Sequence, residues 1–339
     1  MTPDRPASRD PRSAPISFAE GPAPGRSRYS LAAITVKIAV SIALLWFLFS
    51  TFDPAQALAR LGAIAPQYPI AAAAMEIISI VVVTWRWKII LLVLDTVVAF
   101  RSALAIVYIG VFFNQVLPSN LGGDAMRVWR VSRHGITVVR AVESVMLDRF
   151  IALVALVALV ALVLPFAAPP IIAGTAYMAL WGLVGLTAAG FILVLLLDRI
   201  IMRIDSILPS VLCDALVTIS QDTRALFAMP LKGAGLMVLS IANHAWIVLL
   251  IFVLAVGMGV DVGLFELMVL MPPVIVISML PVSLAGWGVR EGAMVAALGL
   301  VGVPPADALA LSLVFGLMLL IVALPGGVIW FATGRRQTG

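Results

Sequence analysis

The chain has 339 residues, of which 63% are hydrophobic and only 12% charged, where a soluble domain carries about a quarter charged residues. That balance, with a mean hydropathy of +1.14, excludes a soluble domain and points to a polytopic membrane protein. One cysteine (Cys213) and two distant histidines (His134, His244) offer neither a disulfide nor a recognisable metal set; the net charge of +5 sits largely at the termini and in short loops, which suits topology and anionic headgroups, not nucleic acid.

Residues 1–28 hold six Pro and five Arg and no apolar run. Such a segment cannot bury surface and is expected to be a disordered cytoplasmic tail. It does not read as a cleavable signal peptide, because the first apolar run begins only at Leu31 and continues to transmembrane length. Apolar runs at 31–49, 70–94, 141–164, 171–197, 236–256 and 306–331 are each long enough to cross a hydrocarbon core of about 30 Å at about 1.5 Å per helical residue.

Arg26, Arg28 and Lys37 place the start of the first run in the cytoplasm. A short outer loop with Asp53 and Arg60 follows, and the second run returns to Trp85, Arg86, Trp87 and Lys88, which read as an interfacial anchor. Asp95 and Arg101 mark a cytoplasmic turn. The next apolar piece, 102–116, is 15 residues and would reach only about 22 Å as a helix. Were it to cross, Arg127, Arg130, Arg133 and Arg140 would all face outward, against the positive-inside tendency. It is therefore expected to be re-entrant, breaking at 118–123, where Pro118 removes a donor and Gly122 and Gly123 permit a tight path.

The run 141–164 then leads out to a turn at Pro165, Pro169 and Pro170, and 171–197 leads back to Asp198, Arg199 and Arg203. Residues 204–229 mix Asp205, Asp214, Asp222 and Arg224 with apolar residues at loose helical spacing. This suits either a helix lying on the cytoplasmic interface or a solvated connector. After Lys232 a span leads to an outer loop at 257–261. The piece 265–279 is again 15 residues and again ends in Leu-Pro, so it too is expected to be re-entrant, now from outside. The last run leaves Arg335 and Arg336 in the cytoplasm.

At the breaks a motif is written twice. Residues 117–127, LPSNLGGDAMR, and 280–290, LPVSLAGWGVR, match at five of eleven positions without gaps: Leu117/Leu280, Pro118/Pro281, Leu121/Leu284, Gly123/Gly286 and Arg127/Arg290. Each half then reads span, re-entrant pair, span, with one broken hairpin on each face of the membrane. The expected fold is an all-α polytopic membrane protein with about six full transmembrane helices and two re-entrant hairpins in an inverted-topology repeat, an architecture of alternating access. The halves run about 68–164 and 233–331, joined by a linker at about 199–232.

Asp124 and Arg127 share a helix face that Arg130 continues, and Gly122, Gly123 and the following helix N-terminus would present free N–H groups to an anionic oxygen. The competing reading is that Asp124 and Arg127 only pair and position the hairpin. In the second copy Arg290 is followed by Glu291, with Gly286 and Gly288 flanking Trp287; so deep in apolar sequence these charges are functional candidates by default. An ion pair of purely structural value is the alternative. Asp148 and Arg149 cannot face each other on a helix, so Asp148 is expected to meet an arginine of the first hairpin and Arg149 to approach the cytoplasmic headgroup level. Asn114 and Gln115 would line the same cavity. Glu76, Asn243 and His244 are further intramembrane polar residues, with Glu76 a weaker candidate for coupling. No G-x-S-x-G elbow, P-loop or metal-ligand cluster occurs.

The segments NQVLPSNLGGDAMR (114–127), SVMLDR (144–149) and LPVSLAGWGVREG (280–292) together resemble the flippase-like transmembrane domain found at the N-terminus of lysylphosphatidylglycerol synthases and as free-standing membrane proteins. The resemblance covers roughly residues 33–333. It implies lipid translocation without aminoacyl transfer, since the soluble synthase domain is missing, and it places Asn114, Pro118, Gly122, Gly123, Asp124, Arg127, Asp148, Arg149, Pro281, Gly286, Gly288, Arg290 and Glu291 on the family motifs; Asn120 and Arg130 join them as candidate headgroup contacts. The expected function is flippase-like movement of an anionic phospholipid or an isoprenoid or glycolipid across a bacterial inner membrane, with both termini cytoplasmic. The expected partners are membrane lipids, with no cofactor. The alternative is a non-transporting subunit that supports a lipid-modifying enzyme or glycosyltransferase.

Overall fold

The structure, a computed structural model, describes residues 28–51, 62, 64–117, 122–167, 174–204, 210–280, 283 and 285–334. The expected tail through residue 27, the loop with Asp53 and Arg60, the turn at Pro169 and Pro170, Asp205, and the terminal Arg335 and Arg336 lie outside them. The described residues form eleven α-helices and no strand. In chain order these are α1 (Arg28–Thr51), α2 (Gln67–Val93), α3 (Phe100–Val116), α4 (Gly122–Ser132), α5 (Val138–Val163), α6 (Thr175–Ile204), α7 (Ser210–Ala228), α8 (Pro230–Gly257), α9 (Leu264–Met279), α10 (Val289–Gly299) and α11 (Pro305–Gly334).

Four of them are long and apolar enough to cross a membrane: α5 with its short 3-10 extension to Phe166, α6, α8 and α11. Four such helices make this a multi-pass membrane protein. The other two runs expected to span form α1 and α2, of 24 and 27 residues. The two runs expected to be short are short. α3 has 17 residues and α9 has 16, about 25 and 24 Å of helix at 1.5 Å per residue, less than the roughly 30 Å core. Each stops with its C-cap residue, Leu117 or Leu280, in an extended conformation, as a following proline demands. Inside α9, Pro272 and Pro273 remove two further backbone donors.

Local chemistry fixes the helix starts. Thr137 Oγ1 accepts from the Arg140 amide at 3.3 Å at the start of α5. Glu266 and Glu291 reach back to the amides of Gly263 and Gly288 at 2.9 and 2.5 Å, satisfying donors that α9 and α10 would otherwise leave orphaned.

The core is an interleaved set of eight helices. α2 lies against α8; α3 packs on α4 and α11, and α9 on α10 and α5; α4 packs on α5, and α10 on α11. α2 also meets α3, α11 and α5, and α8 meets α9, α5 and α11. Exchanging α2, α3, α4 and α5 for α8, α9, α10 and α11 turns every one of these contacts into another member of the set. Trp246 on α8 fastens the central pair, donating from Nε1 to the Met75 carbonyl at 2.9 Å.

α6 and α7 flank this core. α6 presents large apolar side chains outward, with Met178 and Leu186 among the most exposed, as a lipid-facing helix does. α7 is no solvated connector. Asp222 pairs with Arg140 of α5, and Arg224 grips Asp198 of α6 with both terminal nitrogens at 2.8 Å. The side chain of Asp214 is not described.

Candidate functional site

The site grows from the place where α3 and α4 cross. Gly110 and Gly123 let the two backbones touch: a Cβ on Gly123 would collide with the Gly110 carbonyl oxygen and the Asn114 amide. The Asn114 Oδ1 accepts the Gly123 amide proton at 2.9 Å. This corrects one expectation, since the Gly123 N–H is already occupied by a side chain and is not free for an anion. Pro118 and Asn120 lie outside the described residues. Gly122 opens α4 with its α-carbon facing Leu117.

From α4 an ion network runs across three helices. Arg127 binds Asp148 of α5 at 3.0 Å and lies 3.6 Å from Asp124 on its own helix. Asp148 also accepts from Arg86 Nε of α2 at 2.8 Å. Asp124 receives both Nε and a terminal nitrogen of Arg149, at 2.9 and 3.0 Å. The expected meeting of Asp148 with an arginine of the first hairpin is present. The reading of Trp85 to Lys88 as an interfacial anchor fails at its middle: Arg86 is 4% exposed, Trp87 is fully buried, and the Arg127 guanidinium stacks 4.4 Å above the Trp87 ring. Only Trp85 faces outward, with Lys88 over it.

The sequence hides Arg86 because Trp-Arg-Trp-Lys has the composition of an anchor, and its partner lies 62 residues away. Three arginines share two carboxylates here. Charges buried at this depth hold only where geometry and hydrogen bonds compensate their lost hydration, and the shared acids supply that.

Arg130 stands apart. Its terminal nitrogen donates to Thr333 Oγ1 at 2.7 Å, and its guanidinium lies 4.7 Å from the Trp330 ring centre. It does not continue the Asp124–Arg127 face into the site, because the end of α11 offers it an aromatic seat.

In the second copy Arg290 donates to Glu291 Oε1 at 2.5 and 3.1 Å and to Ser312 Oγ of α11 at 3.3 Å. Its guanidinium lies 4.7 Å from the Trp287 ring centre. Gly286 and Gly288 have φ of +80° and +85°, values that favour glycine; between the hairpin and α1, a Cβ on Gly288 would strike Leu44. Pro281 lies outside the described residues. Glu291, fully buried, is held between Arg290, Ser312 and the Gly288 amide.

Between the two motifs lies a cavity of about 310 Å³. Asn114 and Gln115 of α3 and Arg149 of α5 line one side; Ser278, Met279, Ala285 and Arg290 line the other. Glu76, His244 and the apolar side chains of Phe315 and Leu319 complete the wall. A second cavity of about 210 Å³ continues from it, sharing Glu76, Asn114, Arg149 and His244 and reaching Arg86, Arg127, Asp148 and Asn243. Arg149 turns into these cavities, with 41% of its side chain exposed.

Buried polar atoms around the cavities lack partners among the described residues: Arg127 Nε, Asn243 Oδ1 and His244 Nδ1. The other ring nitrogen of His244 lies 2.9 Å from the Ala152 carbonyl. The arrangement can hold a polar, anionic group against Arg149 and Arg290 while apolar walls carry what is attached to it. No cluster of metal-ligating side chains occurs among the described residues.

A family model described as lysylphosphatidylglycerol synthase TM region matches residues 34–327. No curated protein matches the chain.

Proposed function

This chain belongs to the lysylphosphatidylglycerol synthase TM region family, and from that premise we propose that it moves a lipid between the leaflets of a bacterial inner membrane. The observation that carries the proposal is the cavity between the two copies of the motif, walled by Arg149 from one half and Arg290 from the other. An anionic headgroup, of a phospholipid or an isoprenoid-linked or glycolipid substrate, passes between the copies, and its chains stay in hydrocarbon.

α3 with α4, and α9 with α10, act as two re-entrant hairpins entering from opposite faces. Their short lengths support this, and the exchange of helix contacts between the halves supports an inverted-topology repeat. In this arrangement α1 and α2 cross as well, and the Arg-rich ends support cytoplasmic termini. The protein is a transporter and not an enzyme, and its partners are membrane lipids.

One observation favours a second reading. Arg86, Arg127, Asp124 and Asp148 pair with one another, as they would in a scaffold, and a non-transporting subunit for a lipid-modifying enzyme or glycosyltransferase needs no more than that. Proteoliposomes decide between the two. Fluorescent phosphatidylglycerol, phosphatidylcholine and a polyprenyl phosphate are placed in both leaflets and bleached from outside with dithionite. Translocation bleaches beyond the outer-leaflet half for at least one lipid, faster than in protein-free vesicles. Protein-free rates throughout would favour the subunit.

A further inference from the structure

Glu76 is the charged residue that the ion network leaves out. It lines both cavities from α2, yet among the described residues it forms no hydrogen bond and no ion pair. The titratable and charged groups around it come from its packed neighbours, Tyr108 on α3, Asp148 and Arg149 on α5 and His244 on α8, and from Arg290 of α10, which lines the same cavity. α11 adds only Phe315 and Leu319 to the cavity wall. The network of Arg86, Arg127, Arg149, Asp124 and Asp148 holds three cations and two anions, and Arg290 with Glu291 is neutral. With Glu76 ionised the cavity balances; with Glu76 protonated it carries one uncompensated positive charge.

We infer that Glu76 is a proton-binding site, and that its carboxylate competes with an anionic phosphate group for the field of Arg149 and Arg290. Proton uptake, Glu–COO⁻ plus H⁺ giving Glu–COOH, removes the resident anion and admits the phosphate. Proton release restores the anion and expels it. Isolated carboxylates at this depth serve proton relays in membrane proteins, and a low-dielectric wall screens the competition little. The inference deepens the translocation reading, because it gives headgroup occupancy a dependence on the proton concentration of whichever side the cavity faces. By linkage, phosphate raises the proton affinity of Glu76 by the same factor that the proton raises phosphate affinity.

The test is an infrared titration of the full chain in phosphatidylcholine vesicles. The carboxylic-acid band absent from Glu76→Gln reports the protonated side chain. At constant ionic strength, glycerol phosphate is compared with glycerol, and a third arm replaces part of the phosphatidylcholine with phosphatidylglycerol. The expected result is a midpoint raised by about one pH unit, tenfold in proton affinity, in the anionic arms. The soluble arm reports a free phosphate and the vesicle arm a lipid headgroup; a shift in the vesicle arm alone assigns the site to lipid. Arg290→Gln and Arg149→Gln, each tested separately in case one fails to fold, should remove the shift, whereas a vesicle surface effect would persist in both. A Glu76 band that does not titrate, or a midpoint equal in every arm, overturns the inference. This readout needs no lipid movement, so its failure and the failure of the translocation assay are distinct results.

Discussion

The two copies of the Leu-Pro motif place an arginine at the same position and then secure it differently. Arg127 lies over Trp87 and binds Asp148, an acid 21 residues further on in α5, which also binds Arg86 of α2. Arg290 lies over Trp287, but 22 residues on, in α11, it finds Ser312; its counter-charge is Glu291 beside it. In the first copy the acid belongs to another helix and fastens α2, α4 and α5 together. In the second the acid belongs to the arginine's own helix and ties α10 to α11 only through a hydroxyl. The acid of the first motif thus joins three helices and that of the second joins two.

Substitutions can break or sharpen that contrast. Asp148→Asn would leave buried Arg86 without a carboxylate and Arg127 with only Asp124 at 3.6 Å, and should cost about 3–5 kcal/mol, read as a large fall in thermal midpoint in detergent; a loss no greater than that of a surface variant would show that the network is not an anchor. Glu291→Gln keeps an acceptor for the Gly288 amide but leaves Arg290 with neutral partners, a cost of about 1.5–3 kcal/mol. Adding Ser312→Asp moves the acid onto α11, where the first copy has it on α5, and should recover most of that loss; no recovery would mean that the two copies are not equivalent in geometry.

Gly123→Ala pushes a methyl group into Gly110 and Asn114 and should cost about 1–3 kcal/mol by overpacking. Gly292→Ala meets open space and should melt at the wild-type temperature. Ser312→Ala removes two long hydrogen bonds, to Arg290 and Glu291, and should cost only about 1 kcal/mol, since Glu291 still holds Arg290.

Much of this was legible in the sequence, for definable reasons. The shortness of α3 and α9 follows from apolar runs that stop at Leu-Pro, because proline acts locally. Asp148 had to seek a distant partner because its neighbour Arg149 points elsewhere on the helix. What could not be read is where long side chains end. Arg130 is three residues from Arg127 yet finishes on Thr333, 203 residues away, since only the packed fold brings the end of α11 beside α4. Arg86 looked interfacial for want of any local sign of Asp148. Glu76 looked minor because its weight comes from the lack of a partner among the described residues, which only the arrangement of the helices reveals.

In the proposed translocation a lipid headgroup passes through the cavity between the two motifs. Gln115→Trp would fill that cavity from α3, and Leu186→Trp would add the same bulk on the outward, exposed face of α6. Dithionite bleaching of fluorescent lipid in proteoliposomes, with both variants checked for an unchanged thermal midpoint, should show movement lost in Gln115→Trp and kept in Leu186→Trp. Equal rates for wild type and a folded Gln115→Trp would contradict the account.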